Sequence, residues 1–183
     1  TLLDPDLISK KLIGSTFISK FVYFDDLDST NSYAKQNKLI DGSLILTAFQ
    51  KKGRGRFNRK WDSEKGKNLT FTLVKKSDLK HDEQINIIFS VSYAVFDTIR
   101  KISEQKSTIS GNRIKIKWPN DILINNKKAA GILIETNPKK NIFIIGIGIN
   151  VNQDAFTAQI SKRATSILKE IGSETDLNQM FIN

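Results

Sequence analysis

Apolar and polar residues alternate along residues 68–74 (NLTFTLV), the period of a strand with one buried face. The same period recurs at 113–118 (RIKIKW) and stops at Pro119, which cannot donate to a ladder. Residues 121–135 (DILINNKKAAGILIE) read as a hairpin with its turn at 125–127. Apolar runs at 20–25, 43–50 and 141–152 read as further strands. A helical period occupies 82–103, where Ile85, Ile88, Phe89, Ser92, Val95, Phe96 and Ile99 fall on one face and predict a buried central helix. Two shorter helices carry start signals. Asp4 and Pro5 open one that Gly14 stops, and Ser29 or Thr30 caps one that runs to about Leu39. The last thirty residues are weakly helical.

The sum is an α+β fold, a mixed, mostly antiparallel sheet with helices packed on one face. At 183 residues, 39% hydrophobic and 26% charged, the chain suits one globular domain. It opens on Thr1 and closes on the helix-like LNQMFIN, so it reads as a possible piece at either end. No apolar run has the length of a membrane span. Cysteine is absent, which excludes disulfides and thiolate metal sites and is compatible with a reducing cytoplasm, the expected location. With a single histidine, His81 in a surface-like KHDE, neither a zinc enzyme nor a Cys–His nucleophile is expected.

The formal charge of +10 favours anionic partners or reflects a generally lysine-rich composition. It concentrates in a long polar loop at 51–67, where Lys51, Lys52, Arg54, Arg56, Arg59 and Lys60 follow one another without an acid. Gly53 and Gly55 permit close backbone approach to a ligand, and the arginines add bidentate contacts to carboxylate or phosphate. The stretch GRGRFNRKW thus reads as a lid over an anion, a solvated basic turn or an RNA-binding arm; the last usually repeats its motif, which occurs here once. Trp61 suits base stacking or the anchoring of the next strand. No P-loop pattern occurs, and GIGIN (146–150) lacks the third glycine of a dinucleotide fingerprint. In KWPND (117–121), Asn120 can read a base or ribose and Asp121 can orient a hydroxyl or help hold Mg²⁺; a plain turn is the alternative. Lys128, followed by the small residues Ala129, Ala130 and Gly131, is either ligand-facing or an exposed hairpin lysine.

In this order, DSTN, FQKKGRGRFNRKW, KWPNDILINNKKAAGILIE and GIGINVN resemble the catalytic domain of biotin protein ligases, densely over 20–152 and more loosely through ATSIL (164–168). The resemblance implies a biotin/lipoate ligase-like, class II synthetase-like fold. It implies formation of biotinyl-5′-adenylate from biotin and ATP with Mg²⁺, then transfer to a lysine of a biotin carboxyl carrier domain of a carboxylase. It places Ser29, Thr30, Asn31, Gln50, Gly53, Arg54, Gly55, Arg56, Lys128 and Gly131 on biotin. Arg54, Arg56, Arg59, Trp61, Asn120, Asp121 and Asn150 fall on the adenylate, and Lys128, Arg56 and Asp121 take the catalytic roles, with Asp121 the one candidate metal ligand. It further implies a single catalytic domain over 1–183, without the helix-turn-helix found ahead of it or the small β domain found after it in some members. A homodimer and a lipoate-type ligase are the related expectations, and nucleic acid is not expected as a partner.

Overall fold

A computed structural model describes residues 2–76, 84–106, 113–137 and 141–182. Seven strands form one sheet in the order β1-β2-β3-β7-β6-β5-β4: β1 Lys20–Phe24, β2 Ser43–Thr47, β3 Leu69–Lys76, β4 Ile114–Lys117, β5 Asp121–Ile124, β6 Lys127–Asn137 and β7 Ile142–Ile149. Every neighbouring pair is antiparallel except β1 with β2. That parallel pair needs a crossover, and helix α2 (Thr30–Gln36) supplies it.

Strand alternation divides the sheet into two faces. Leu46, Leu69, Ile122, Ile132 and Ile149 point to one, where they pack with Val95 and Ile99 of the long helix α3 (Gln84–Gln105). Ile8 of α1 (Pro5–Leu12), Ile167 and Ile171 of α4 (Ile167–Ile171), and Leu177 and Met180 of α5 (Leu177–Ile182) complete this core. The helical layer on one face is therefore as the pattern predicts. The other face carries Ile45, Val74 and Ile144, against which Ala34 of the short helix α2 packs. That second, smaller layer creates the cleft described below.

Local signals account for most boundaries. Asp4 caps α1 through Leu7 N at 2.9 Å, and Ser29 caps α2 through Ser32 N. Asn37 ends α2 earlier than Leu39: its backbone N–H and its side-chain amide both donate to Tyr33 O. The turn between β5 and β6 uses Asn125 and Asn126, both at positive φ, as a two-residue hairpin of type I′ requires. Strand β2 stops at Thr47 rather than at 50, because Ala48 N and Gln50 turn to pair with Phe24 O and Leu27 beyond the end of β1.

The amphipathic period of α3 holds over its length, but its burial does not. Val95 and Ile99 are buried, whereas Ile85 and Phe89 are 51% and 56% exposed. A period identifies a face; it does not supply something to cover it. The expected helix start at 82 and His81 lie outside the described residues.

Candidate active site: a cleft strapped by a basic loop

The cleft lies on the α2 face of the sheet, opens to solvent, and has a cavity volume of about 50 Å³. Its floor is β7 and β6, where Gly146 and Gly148 of β7 alternate toward it with Gly131 and Leu133 of β6. Glycine is required at two of these positions for clearance. A Cβ on Gly146 would overlap the amide of Asn31, and one on Gly148 would overlap the Trp61 indole. The glycines of GIGIN thus make room inside a strand and do not form a phosphate-binding turn.

One end of the cleft is polar and closed. Ser29, Thr30 and Asn31 enter from the start of α2, all buried. Thr30 N donates to Gln50 Oε1 at 2.8 Å, and the Thr72 hydroxyl of β3 donates to Asn31 Oδ1 at 2.6 Å while lying 2.8 Å from Thr30 Oγ1. The Asn31 amide donates to Leu133 O and to Glu135 Oε2, at 3.3 and 3.0 Å. Each buried polar group here is held by another, so the end is preorganised for a neutral ligand group rich in donors and acceptors.

The other end is cationic. Lys128 Nζ lies 2.6 Å from Asp121 Oδ1 and 5.6 Å from the centre of the Trp61 ring. How Lys128 faces the cleft follows from the strand. β6 has one residue more than β5 at this point, since Ile122 pairs with Ala130 and Leu123 with Lys128. Ala129 is the extra residue, a β-bulge, and both Ala129 and Ala130 turn into the core. Two consecutive inward residues must be small, and they bring Lys128 out on the same face as Gly131. The backbone of Lys128 is fixed by Arg163 O and Thr165 N, at 2.8 and 2.9 Å. The Lys128 side chain runs along the strand over Gly131, where an added Cβ would lie 2.9 Å from its Nζ.

The basic loop crosses between the ends. Trp61 N donates to Gly53 O at 2.9 Å and Gly55 N to Arg59 O at 2.7 Å, which closes the loop into a short tongue with Phe57 at its exposed tip. Arg54 reaches the polar end, with Nη2 2.9 Å from Glu135 Oε1 and Nη1 3.3 Å from Ser32 Oγ. Arg56 reaches the cationic end, where Nη1 donates to Asn120 Oδ1 at 2.9 Å. Asn120 is itself tied to β6 by Nδ2 to Ile132 O at 3.0 Å, and Ser92 of α3 holds Pro119 O at 3.1 Å.

Burial by itself pushes the Glu135 carboxyl up. The hydrogen bonds from Lys35 and Asn31 and the charges of Arg54 and Lys35 outweigh it, so Glu135 titrates below the ordinary glutamate value. A depressed carboxyl stays ionised above its unfolded value and loses its contribution as pH falls through the folded one, so this cluster is intact across neutral pH.

The cleft therefore gathers Ser29, Thr30, Asn31, Gln50, Arg54, Gly55, Arg56, Trp61, Asn120, Lys128 and Gly131 of the expected residues. Asp121 joins them through Lys128. Gly53 lies at the base of the tongue, and Arg59 is exposed on its outer strand. Asn150 is buried past the end of β7, with its amide donating to Thr165 O at 3.0 Å and its Oδ1 buried without a partner. Trp61 lies on the cleft face and not in the main core, and its Nε1 is likewise buried without a partner. Thr72 and Glu135 are additions that sequence reading passed over. The paired inward threonines of LTFT are a signal for Thr72; Glu135 looks only like the polar end of an apolar run.

The family model described as biotin/lipoate A/B protein ligase matches residues 23–152, which is most of the chain and holds every element of the cleft. The chain belongs to the biotin/lipoate A/B protein ligase family. Within this ligase family, it is 34% identical over 163 residues to the bifunctional ligase/repressor BirA of Bacillus subtilis, covering 85% of this chain and 48% of that protein. It is 27% identical to BirA of Escherichia coli, covering 95% of this chain and 54% of that protein. The biotin protein ligase of Aquifex aeolicus in complex with biotin and ATP superposes with a TM-score of 0.76 at 30% identity, over 90% of this chain and 66% of that one. The ligase-family chain described here thus spans about half the length of the two curated relatives. Among its described residues no helix is long and apolar enough to cross a membrane.

Proposed function

We propose that this chain carries the catalytic centre of a biotin protein ligase. The observation that carries the reading is the polarity of one cleft: a closed end of buried hydroxyls and amides, a glycine-cleared middle, and a cationic end, all crossed by one arginine loop. The closed end suits the ureido ring of biotin and the cationic end its carboxylate. A biotin carboxylate oxygen attacks the α-phosphorus of ATP, the bond from that phosphorus to the bridging oxygen breaks, and pyrophosphate leaves. Two anions must meet, so positioning and positive charge matter more than proton transfer. Lys128 and Arg56 supply that charge by exchanging Asp121 and Asn120 for the incoming oxygens. Trp61 Nε1, on the cleft face and buried without a partner, supports reading this end as the adenylate side.

Among the described residues no group of three metal-binding side chains occurs. At the cationic end the cleft offers Mg²⁺ the Asp121 carboxylate, leaving the rest of its shell to phosphate oxygens and water, as is usual at nucleotide sites. Bound there, the ion would neutralise phosphate charge. In the second step the lysine amine of a biotin carboxyl carrier domain attacks the adenylate carbonyl and AMP leaves; Asp121, freed from Lys128, is placed to orient that amine and accept its proton.

Ligand choice at the closed end has its own test. With Trp118 changed to Phe, Trp61 is the one tryptophan left and reports on the cleft. Biotin should shift its fluorescence saturably, while lipoate, whose dithiolane cannot satisfy the Thr30–Asn31–Thr72 cluster, should not at the same concentration. An equal response to lipoate would move the assignment to a lipoate-type ligase.

A further inference from the structure

Three donors converge on one carboxylate at the rim of the polar end. Lys35 Nζ and Arg54 Nη2 lie 2.5 and 2.9 Å from Glu135 Oε1, and Asn31 Nδ2 lies 3.0 Å from Oε2. Lys35 and Asn31 stand one turn apart on α2, Arg54 comes from the tongue, and Glu135 rises from β6 on the face of Gly131 and Leu133. The Glu135 side chain is only 15% exposed, so its charge is retained there at a desolvation cost that this set of partners offsets.

At its other end the tongue is held by Arg56 on Asn120, a contact that the adenylation chemistry needs for its own anions. The tongue must then be held by something the reaction does not consume. We infer that Glu135 is a latch: its carboxylate holds Arg54 to the rim, and the loop stays closed over the bound adenylate only while that ion pair is made. Glu135 is a positioning residue, since it acts through Arg54 and Asn31. Its link to Asn31 also couples loop closure to the residues proposed to hold the ureido group. This inference rests on the adenylate-forming reading above.

The test is the rate at which biotinyl-5′-adenylate, formed in place from biotin and ATP, leaves the protein. In Glu135→Gln the amide keeps the size and one acceptor but loses the charge. The off-rate should rise about tenfold, the scale of one charge-assisted hydrogen bond. Arg54→Met should raise it equally, and the double variant no further than either single one. A purely structural role would give additive losses and a lowered melting temperature instead. Lys35→Met, which leaves the Arg54 contact in place, should stay within about twofold of the parent. Glu135→Asp should recover part of the retention. An unchanged off-rate in Glu135→Gln, additive effects with Arg54→Met, or an equal rise in Lys35→Met would each overturn the latch. If the parent chain forms no adenylate, the functional reading fails first, and the two failures are told apart.

Discussion

Replacing Lys128 with glutamine will lower the rate of biotin-dependent pyrophosphate release by about 10²–10³-fold, while biotin binding weakens far less. The magnitude is that of removing one preorganised charge aimed at a transition state. The asymmetry follows from position. The Thr30–Asn31–Thr72 cluster that holds the neutral end is built from hydrogen bonds that do not involve Lys128 and keeps them all. Lys128 Nζ, by contrast, faces the cationic end, where among the described residues Asp121 is its ionic partner and the Trp61 face lies beside it. Stopped-flow or coupled pyrophosphate detection, with biotin affinity measured in parallel, checks both halves. A drop of less than threefold, or affinity and rate falling together, would place Lys128 outside the reaction.

Changing Arg56 to alanine attacks the same end from above. The tongue loses its contact to Asn120 Oδ1 and one cation facing the phosphate. Adenylate escape should rise about 10–100-fold, the range of one to two kcal-scale charge-assisted contacts. Escaped adenylate acylates amines indiscriminately, so unrelated lysines in a bystander protein should become biotinylated. Mass spectrometry of that bystander reads the outcome. Labelling confined to a carrier lysine, with retention unchanged, would remove the lid role from Arg56.

Much of this site could be read from residue pattern, and the exceptions have physical causes. The alternation at 68–74 and 121–135, the two asparagines of the turn and the caps at Asp4 and Ser29 all describe local conformation, which is where sequence is most informative. Thr70 and Thr72 fell on the polar side of an alternating strand, which normally means solvent. Here α2 covers that side, and only tertiary placement makes Thr72 a buried support for Thr30 and Asn31. Lys128 could be read as ligand-facing or as an exposed hairpin lysine. The bulge at Ala129 settles its direction, and a bulge of this kind is visible only once β5 and β6 are in register. Glu135 ends an apolar run at a strand edge, and nothing local announces that Lys35 and Arg54, distant in sequence, will meet it. The apolar period of α3 predicted burial for Ile85 and Phe89, yet both are exposed.

The central claim is that one cleft joins biotin to the α-phosphate of ATP. Incubating the purified chain with biotin, ATP and Mg²⁺ and following pyrophosphate release, with the protein-bound product identified by mass spectrometry, tests it most directly. The account predicts stoichiometric, biotin-dependent pyrophosphate release and a retained product with the mass of biotinyl-5′-adenylate, with or without an acceptor domain present. Biotin binding without pyrophosphate release or adenylate would contradict it.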